Sequence, residues 1–392
     1  MEDVVVVSGV RTAIGRFQGA FADTPASDLG AAVIKEAVAR AGIGVEHVDS
    51  VMLGVVGQVA EDAYLSRVST IKAGLPVGTP AMNVNRLCGS GLEAINTASR
   101  LILSGDADVV VAGGAENMTR MPYYLRKART GYRMGHDVIE DGVIHMLTDP
   151  FNGYHMGVTA ENLANMYEVT RLAQDEFASE SQRRAIAAID AGRFTDQILP
   201  MTIKAGREEK VFDTDEHPRA STVEALQKMR PAFKEGGMVT AGNASGINDG
   251  AAAVVLMSAA KAAELGVTPR MRIVARAESG VEPSLMGSGP IPAVRKVLER
   301  AGMSIDQIDV IELNEAFASV ACACSQELTL DPAKTNPNGG AIALGHPVGA
   351  TGAILTVKLM YELERTGGRF GIVSLCIGGG QGIATIFERL DA

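Results

Sequence analysis

The chain has 392 residues, a net charge of −10, 46% hydrophobic and 21% charged residues. That length holds two or three domain-sized cores, and the balance is globular rather than disordered. The acidic surplus argues against nucleic acid as the main partner, which needs a basic footprint, yet leaves room for a phosphorylated small ligand at a local basic cluster. Four scattered cysteines, Cys88, Cys322, Cys324 and Cys376, do not make a disulfide framework in a chain this long, so a reducing compartment is expected. No apolar run approaches the roughly 20 residues of a membrane span. Met1-Glu2-Asp3 lacks a basic signal-peptide start, and Arg389-Leu390-Asp391-Ala392 is not a Ser-Lys-Leu-type ending, so the expected location is cytoplasmic.

In chain order, a β-branched run predicts a strand over 4–8, and a helical pattern over 29–41 stops at Gly42. Strand 51–56, helix 65–73 and strand 81–84 follow. The chain then turns through Asn83-Val84-Asn85-Arg86-Leu87-Cys88-Gly89-Ser90-Gly91 into a helix over 92–103, closed by Ser104-Gly105. An apolar run over 108–112 ends at Gly113-Gly114. Short apolar strands alternating with helices predict an α/β fold with a mostly parallel sheet covered on both faces.

From about 118 to 247 the texture changes. Charge is dense, Tyr and Met cluster, and only 160–166 and 174–191 read as clear helices. This is too long for a plain loop and reads as an inserted subdomain carrying ligand or subunit contacts. Its four histidines, His136, His145, His155 and His217, lack metal-ligand spacing, and no metal is expected. Strand 250–258 closes the insert. Strand 272–277, helix 293–301, strand 309–312 and helix 316–328 restart the pattern. Asn336-Pro337-Asn338-Gly339-Gly340 leads to Gly345-His346-Pro347-Val348-Gly349 and a helix to about 365, and strand 371–375 ends at Cys376-Ile377-Gly378-Gly379-Gly380.

The two ends of the chain repeat one another. Asn83-Val84-Asn85 matches Asn336-Pro337-Asn338, the glycine-rich helix start after Cys88 matches that after His346, and 108–114 matches 371–379. Two such halves packed about a pseudo-two-fold axis bring equivalent helix N-termini together, and with them Cys88 and His346.

A thiol ionises near pH 8.5, so a nucleophilic Cys88 needs help at neutral pH. A helix N-terminus favours the thiolate, and His346 is the candidate base. The alternatives are an inert buried cysteine and a structural histidine. Cys376 precedes a run of glycine N–H groups able to face an oxyanion; its alternatives are a disulfide or a packing role. Asn314, in Asn314-Glu315-Ala316-Phe317 after a strand, lies where α/β folds place functional groups, or serves as a cap. Cys322 and Cys324, two apart on a helix, read as packing residues.

With Cys88-Gly89-Ser90-Gly91, Asn314-Glu315-Ala316-Phe317-Ala318, Gly345-His346-Pro347-Val348-Gly349-Ala350 and Cys376-Ile377-Gly378-Gly379-Gly380-Gln381-Gly382 in this order, the chain resembles a thiolase over essentially its whole length. The resemblance implies a thiolase fold: two duplicated βαβαβαββ-type halves, 1–269 and 270–392, with the loop subdomain inserted in the first. It implies ping-pong chemistry on coenzyme A thioesters, with no other cofactor. Cys88 is then the acyl-carrying nucleophile, His346 its activator and Cys376 the acid/base at the acetyl-CoA methyl. Asn314 holds a water that, with His346, faces the enolate oxygen. The N–H groups of Cys88 and Gly378 form a second oxyanion hole.

By the same similarity, coenzyme A contacts fall to Arg219, Met229, Phe233, Ala241 and Ser245, with Ala316 and Phe317 along the pantetheine path. Lys204, Arg207, Lys228 and Arg230 lie near them in sequence. Tyr154-His155-Met156-Gly157 and the segment from Val281 to Gly287, with Met286, resemble the acetoacetyl-CoA-forming branch with a short acyl pocket. The expected reaction is condensation of two acetyl-CoA to acetoacetyl-CoA and coenzyme A, with a broader 3-ketoacyl-CoA thiolase as the alternative. Residues 126–138 are a tetramerisation loop by analogy, implying a homotetramer. A non-catalytic acyl-CoA carrier predicts loss of Cys88, His346 or Cys376, and all are present. A carrier-protein-dependent condensing enzyme more often has a Cys-His-His set. A dinucleotide oxidoreductase needs a G-x-G-x-x-G turn that Ser8-Gly9-Val10-Arg11-Thr12 lacks.

Overall fold

The computed structural model describes residues 3–206 and 208–390. Nine strands form the main path of one sheet: β1 (Val4–Thr12), β2 (Ser50–Gly54), β3 (Ala81–Val84), β4 (Val109–Asn117), β5 (Asn248–Ser258), β6 (Met271–Gly280), β7 (Val310–Leu313), β8 (Phe370–Ile377) and β9 (Gln381–Arg389). Their order is β7-β8-β9-β6-β1-β5-β4-β2-β3. Read outwards from the centre, β1-β5-β4-β2 and β6-β9-β8-β7 are one order used twice. The halves join where β1 pairs β6 at Val5–Arg272 and Val6–Met271. β3 has its counterpart in the parallel bridge of Thr335 to Ile311.

The sheet is mixed, which corrects the expectation of a mostly parallel one. Only β2/β3, β2/β4 and β7/β8 run parallel along the path. β1/β5, β1/β6, β4/β5, β6/β9 and β8/β9 are antiparallel. The reason is burial. β1, β4 and β5 are buried along their whole length, so they show the continuous apolar run usual for parallel strands instead of the alternation of a half-exposed antiparallel sheet.

Among the described residues the helices of eight or more residues are α1 (Ala26–Ala41), α2 (Leu65–Lys72), α3 (Ser90–Leu103), α4 (Met156–Met166), α5 (Arg171–Asp190), α6 (Pro290–Ala301), α7 (Ala318–Leu328) and α8 (Thr351–Thr366). α1 packs on the first half and α6 on the second, while α3 and α8 pack on each other and on strands of both halves. Glycines make that central contact possible. A Cβ on Gly91 would lie 2.8 Å from the Ala353 nitrogen, and one on Gly352 would lie 2.3 Å from the Leu92 nitrogen. The N-termini of α3 and α8 therefore meet backbone to backbone, and the loops before them open into the same space. Residues 118–247 connect β4 to β5, which pair directly, and carry α4 and α5.

Candidate active site

Cys88 sits two residues before α3, at the end of a tight turn. Leu87 adopts φ 47°, the left-handed region that a branched side chain rarely occupies. Asn85 Oδ1 accepts the Leu87 N–H at 3.0 Å, and the Leu87 carbonyl accepts from the Ser90 hydroxyl at 2.6 Å, which hold the turn. Ser90 also accepts the Arg86 N–H at 2.9 Å. The thiol that results is half-buried. Burial pushes it up to about 11, only partly offset by the N–H groups of Gly378 and of Cys88 itself. The N–H groups at the helix start lower the thiol less than burial raises it, and the resting sulfur is a neutral thiol needing a base.

The second half supplies that base. Burial drops His346 to about 4, so the ring is neutral at pH 7. Its backbone N–H donates to Asn248 Oδ1 at 3.0 Å, its Nδ1 lies 2.6 Å from Thr351 Oγ1, and its Nε2 lies 3.4 Å from Asn314 Nδ2. Asn314 is fully buried, and its Oδ1 has no hydrogen-bond partner among the described residues. Cys376 is the penultimate residue of β8, buried, with its thiol held well above the usual range by burial and by the nearby Cys88. The turn that follows needs positive φ at Gly379 and Gly380, 79° and 85°.

Cys88, His346, Cys376 and Gly378 line one cavity of about 380 Å³. Its walls are apolar, including Leu87, Met118, Met146, Met156, Met286 and Val348. On the insert side His155 stacks on Phe233, centroids 4.6 Å apart, and Phe233 meets Phe317 edge-on at 6.0 Å. The His155 Nδ1 also accepts the Gly157 N–H at 3.0 Å, capping α4. A neutral base, two thiols and a pair of N–H groups in an apolar cavity suit acyl transfer through sulfur.

A family model described as "Thiolase, N-terminal domain" matches residues 4–260, and one described as "Thiolase, C-terminal domain" matches residues 267–389. The chain belongs to the thiolase family. It is 54% identical to the beta-ketothiolase BktB of Cupriavidus necator, over 99% of both chains. It is 53% identical to an acetyl-CoA acetyltransferase of Pseudomonas aeruginosa, over 99% of this chain and 100% of the other. Among solved structures, a Bacillus anthracis acetyl-CoA acetyltransferase superposes with TM-score 0.98 at 47% identity, covering 100% of this chain and 99% of that one. A human mitochondrial 3-ketoacyl-CoA thiolase in complex with CoA superposes with TM-score 0.96 at 43% identity, covering 100% and 98%.

Within this thiolase, His155, Met156, Phe233, Ala241, Ser245, Met286, Ala316 and Phe317 reach the cavity wall. Asn314 lies behind it, in contact with His346. Arg219 and Met229 are not brought to the wall: Arg219 is exposed, and Met229 packs under Gly242, beside the cavity residue Ala241. Lys204, Lys228 and Arg230 are exposed and have no ion-pair partner among the described residues; Arg207 lies outside the described residues.

The sequence reading missed the residues that hold the thiolase loops in place. Glu116 accepts the N–H groups of Val56, Gly57 and Gly349 at 2.8, 3.0 and 2.9 Å. Glu315 accepts from Ser181 Oγ at 2.6 Å and Asn336 Nδ2 at 2.8 Å. Asn248 and Thr351 hold His346. Among these only Glu315 lay inside a motif that had been singled out.

Proposed function

We propose that this thiolase is an acetyl-CoA C-acetyltransferase that interconverts two acetyl-CoA with acetoacetyl-CoA and coenzyme A through an acyl-cysteine. The observation that carries this reading is the convergence of Cys88, a neutral His346, Cys376 and Gly378 on one apolar cavity. In thiolysis, His346 takes the Cys88 proton and the sulfur bonds to the 3-keto carbon. The C2–C3 bond breaks, and Cys376 returns a proton to the departing acetyl-CoA carbanion. Coenzyme A then attacks the acetyl-cysteine, releasing a second acetyl-CoA. Condensation is the reverse. The buried, unpaired Asn314 Oδ1 and its Nδ2 beside His346 suit a water held against the enolate oxygen. The Cys88 and Gly378 N–H groups serve the acyl carbonyl oxygen.

Coenzyme A is substrate and product, with no other cofactor. Phe233, Ala241, Ser245, Ala316 and Phe317 take the pantetheine. We assign Arg219 and Met229 to the coenzyme A contacts as well, and the exposed Lys204, Lys228 and Arg230, without an ion-pair partner among the described residues, suit its phosphates. We take the chain as halves 1–269 and 270–392 with the insert at about 118–247. We take the assembly as a homotetramer, which an exposed loop at 126–138 and the uncovered edge at β3, whose Met82 is exposed, would serve, and its location as the cytoplasm. Among the described residues no helix is long and apolar enough to cross a membrane.

The second reading, a broader 3-ketoacyl-CoA thiolase, is favoured by the methionine-lined wall, which adapts to different acyl shapes. Thiolysis of acetoacetyl-CoA, 3-ketovaleryl-CoA and 3-ketooctanoyl-CoA, compared by kcat/KM, decides between them. A steep fall beyond the four-carbon substrate is expected for the first reading, and comparable rates for the second. No turnover of any substrate overturns both.

A further inference from the structure

The hydrogen bonds around the His346 ring allow its protons to be counted. The Thr351 hydroxyl donates to the Pro347 carbonyl at 2.9 Å and lies 2.6 Å from His346 Nδ1. A hydroxyl has one proton. With that proton on Pro347, Oγ1 faces the ring as an acceptor, and Nδ1 is the nitrogen bearing hydrogen. On the far side Nε2 meets the Asn314 Nδ2 donor at 3.4 Å, which calls for a lone pair there. Both ends of the ring require the same tautomer.

We propose that Thr351 is the positioning residue of the catalytic histidine: by accepting a hydrogen bond from Nδ1–H it fixes ring and tautomer and leaves the lone pair on Nε2 to take the Cys88 proton. This rests on the assignment of Cys88 and His346 above. Thr351 is itself well held, buried at the first turn of α8, one helical turn from Pro347. Asn248 fixes the His346 backbone from the other side. Of the titratable groups, the Cys88 and Cys376 thiols line the same cavity as the ring, and Glu116 takes the Gly349 N–H. A hydroxyl is a neutral acceptor, so it orients the ring without stabilising imidazolium as a carboxylate does. The base then accepts the thiol proton transiently and gives it up readily. With acetyl-CoA as donor, the Cys88 proton passes to Nε2 and sulfur bonds to the acyl carbon. The bond from that carbon to coenzyme A sulfur breaks, and the leaving thiolate takes the proton from Nε2. The Nδ1 proton stays on the ring, donated to Thr351 Oγ1, throughout.

The test uses the full chain with Thr351→Val, Thr351→Ala and Thr351→Ser. Steady-state thiolysis of acetoacetyl-CoA is measured beside the rate of Cys88 alkylation by iodoacetamide, with Cys88→Ala marking the alkylated site. In Val and Ala, kcat is expected to fall roughly 10- to 100-fold with KM within about threefold. Alkylation at about pH 7 slows by a similar factor and recovers towards the wild-type rate as pH rises into the thiol's own ionisation range, where hydroxide ionises it without the histidine. Ser restores both rates to within about threefold. Wild-type kcat and alkylation in Val and Ala, or a Ser variant as impaired as Val, overturns the proposal. If Val does not fold, Ala against Ser decides on the same readouts. Unchanged Cys88 alkylation in His346→Ala overturns the underlying assignment, and the proposal with it.

Discussion

The Glu116 carboxylate accepts the backbone N–H of Gly349, 2.9 Å away and 233 residues later in the chain. The same side chain takes the N–H groups of Val56 and Gly57, so the end of β4 ties a loop of the first half to the loop that carries His346. A Cβ on Gly349 would lie 2.4 Å from that carboxylate, so a side chain there has no room. One buried acid thus ties the Val56-Gly57 loop to the loop that carries His346.

Glu116→Gln keeps the shape but turns one acceptor into a donor facing an N–H. The expected cost is about 1–3 kcal/mol of stability. The sign of its pH dependence follows from burial, which lifts Glu116 from 4.5 to about 7. A raised carboxyl contributes most below its unfolded value and loses that contribution as pH rises through the folded one. Denaturant melts at about pH 5.5 and 8 should show the gap between wild type and variant narrowing at the higher pH. A gap that widens contradicts this.

The pH profile of thiolysis tests the state of the site. His346 is lowered from 6.5 to about 4 and Cys88 is raised to about 11. The kcat/KM for acetoacetyl-CoA, which reports the free enzyme, should stay level through neutral pH with its acid limb near 4. An acid limb near 6.5 would mean a solvated histidine. The same lowered value makes the fold lose stability as pH drops from 6.5 towards 4, since the unfolded chain protonates first.

Cys88, His346 and Cys376 were legible because each stands in a short glycine-rich turn, and because the duplication places two of those turns at matching helix starts. The family motifs then covered the cavity wall well. Strand direction was not legible, since strands buried on both faces such as β4 and β5 carry no alternation. Nor were Glu116, Thr351 and Asn248. Their work is done by side-chain bonds to distant loops or to a ring nitrogen, and no local pattern encodes those. The raised Cys88 thiol was also hidden, because burial depends on the packed cavity and not on the helix start.

Met156 lines the cavity proposed to take the acyl group. A Cβ on Gly378 would lie 2.9 Å from the Met156 Cε, so the methionine packs against the Gly378 backbone. Met156→Ala should raise kcat/KM for 3-ketooctanoyl-CoA relative to acetoacetyl-CoA by about tenfold. It should cost about 2–5 kcal/mol of stability as a buried truncation. An unchanged ratio places the length limit elsewhere.

Lys358 and Glu312 form a buried ion pair at 2.8 Å, and the ammonium also donates to the Gly339 carbonyl at 2.8 Å. Both side chains are almost wholly inaccessible, at 2% and 0%. Lys358→Met leaves a carboxyl alone in the core and should cost about 3–5 kcal/mol. Adding Glu312→Leu should recover most of that loss. A double variant as unstable as the single one contradicts the ion-pair account.

The most direct test of the central claim is intact-mass analysis after brief exposure to acetoacetyl-CoA without free coenzyme A. The wild type and Cys376→Ala should carry one acetyl group, Cys88→Ala should carry none, and Cys376→Ala should fail to form acetoacetyl-CoA from acetyl-CoA. An acetyl group on Cys88→Ala, lost instead in Cys376→Ala, would reverse the two cysteines and contradict the account.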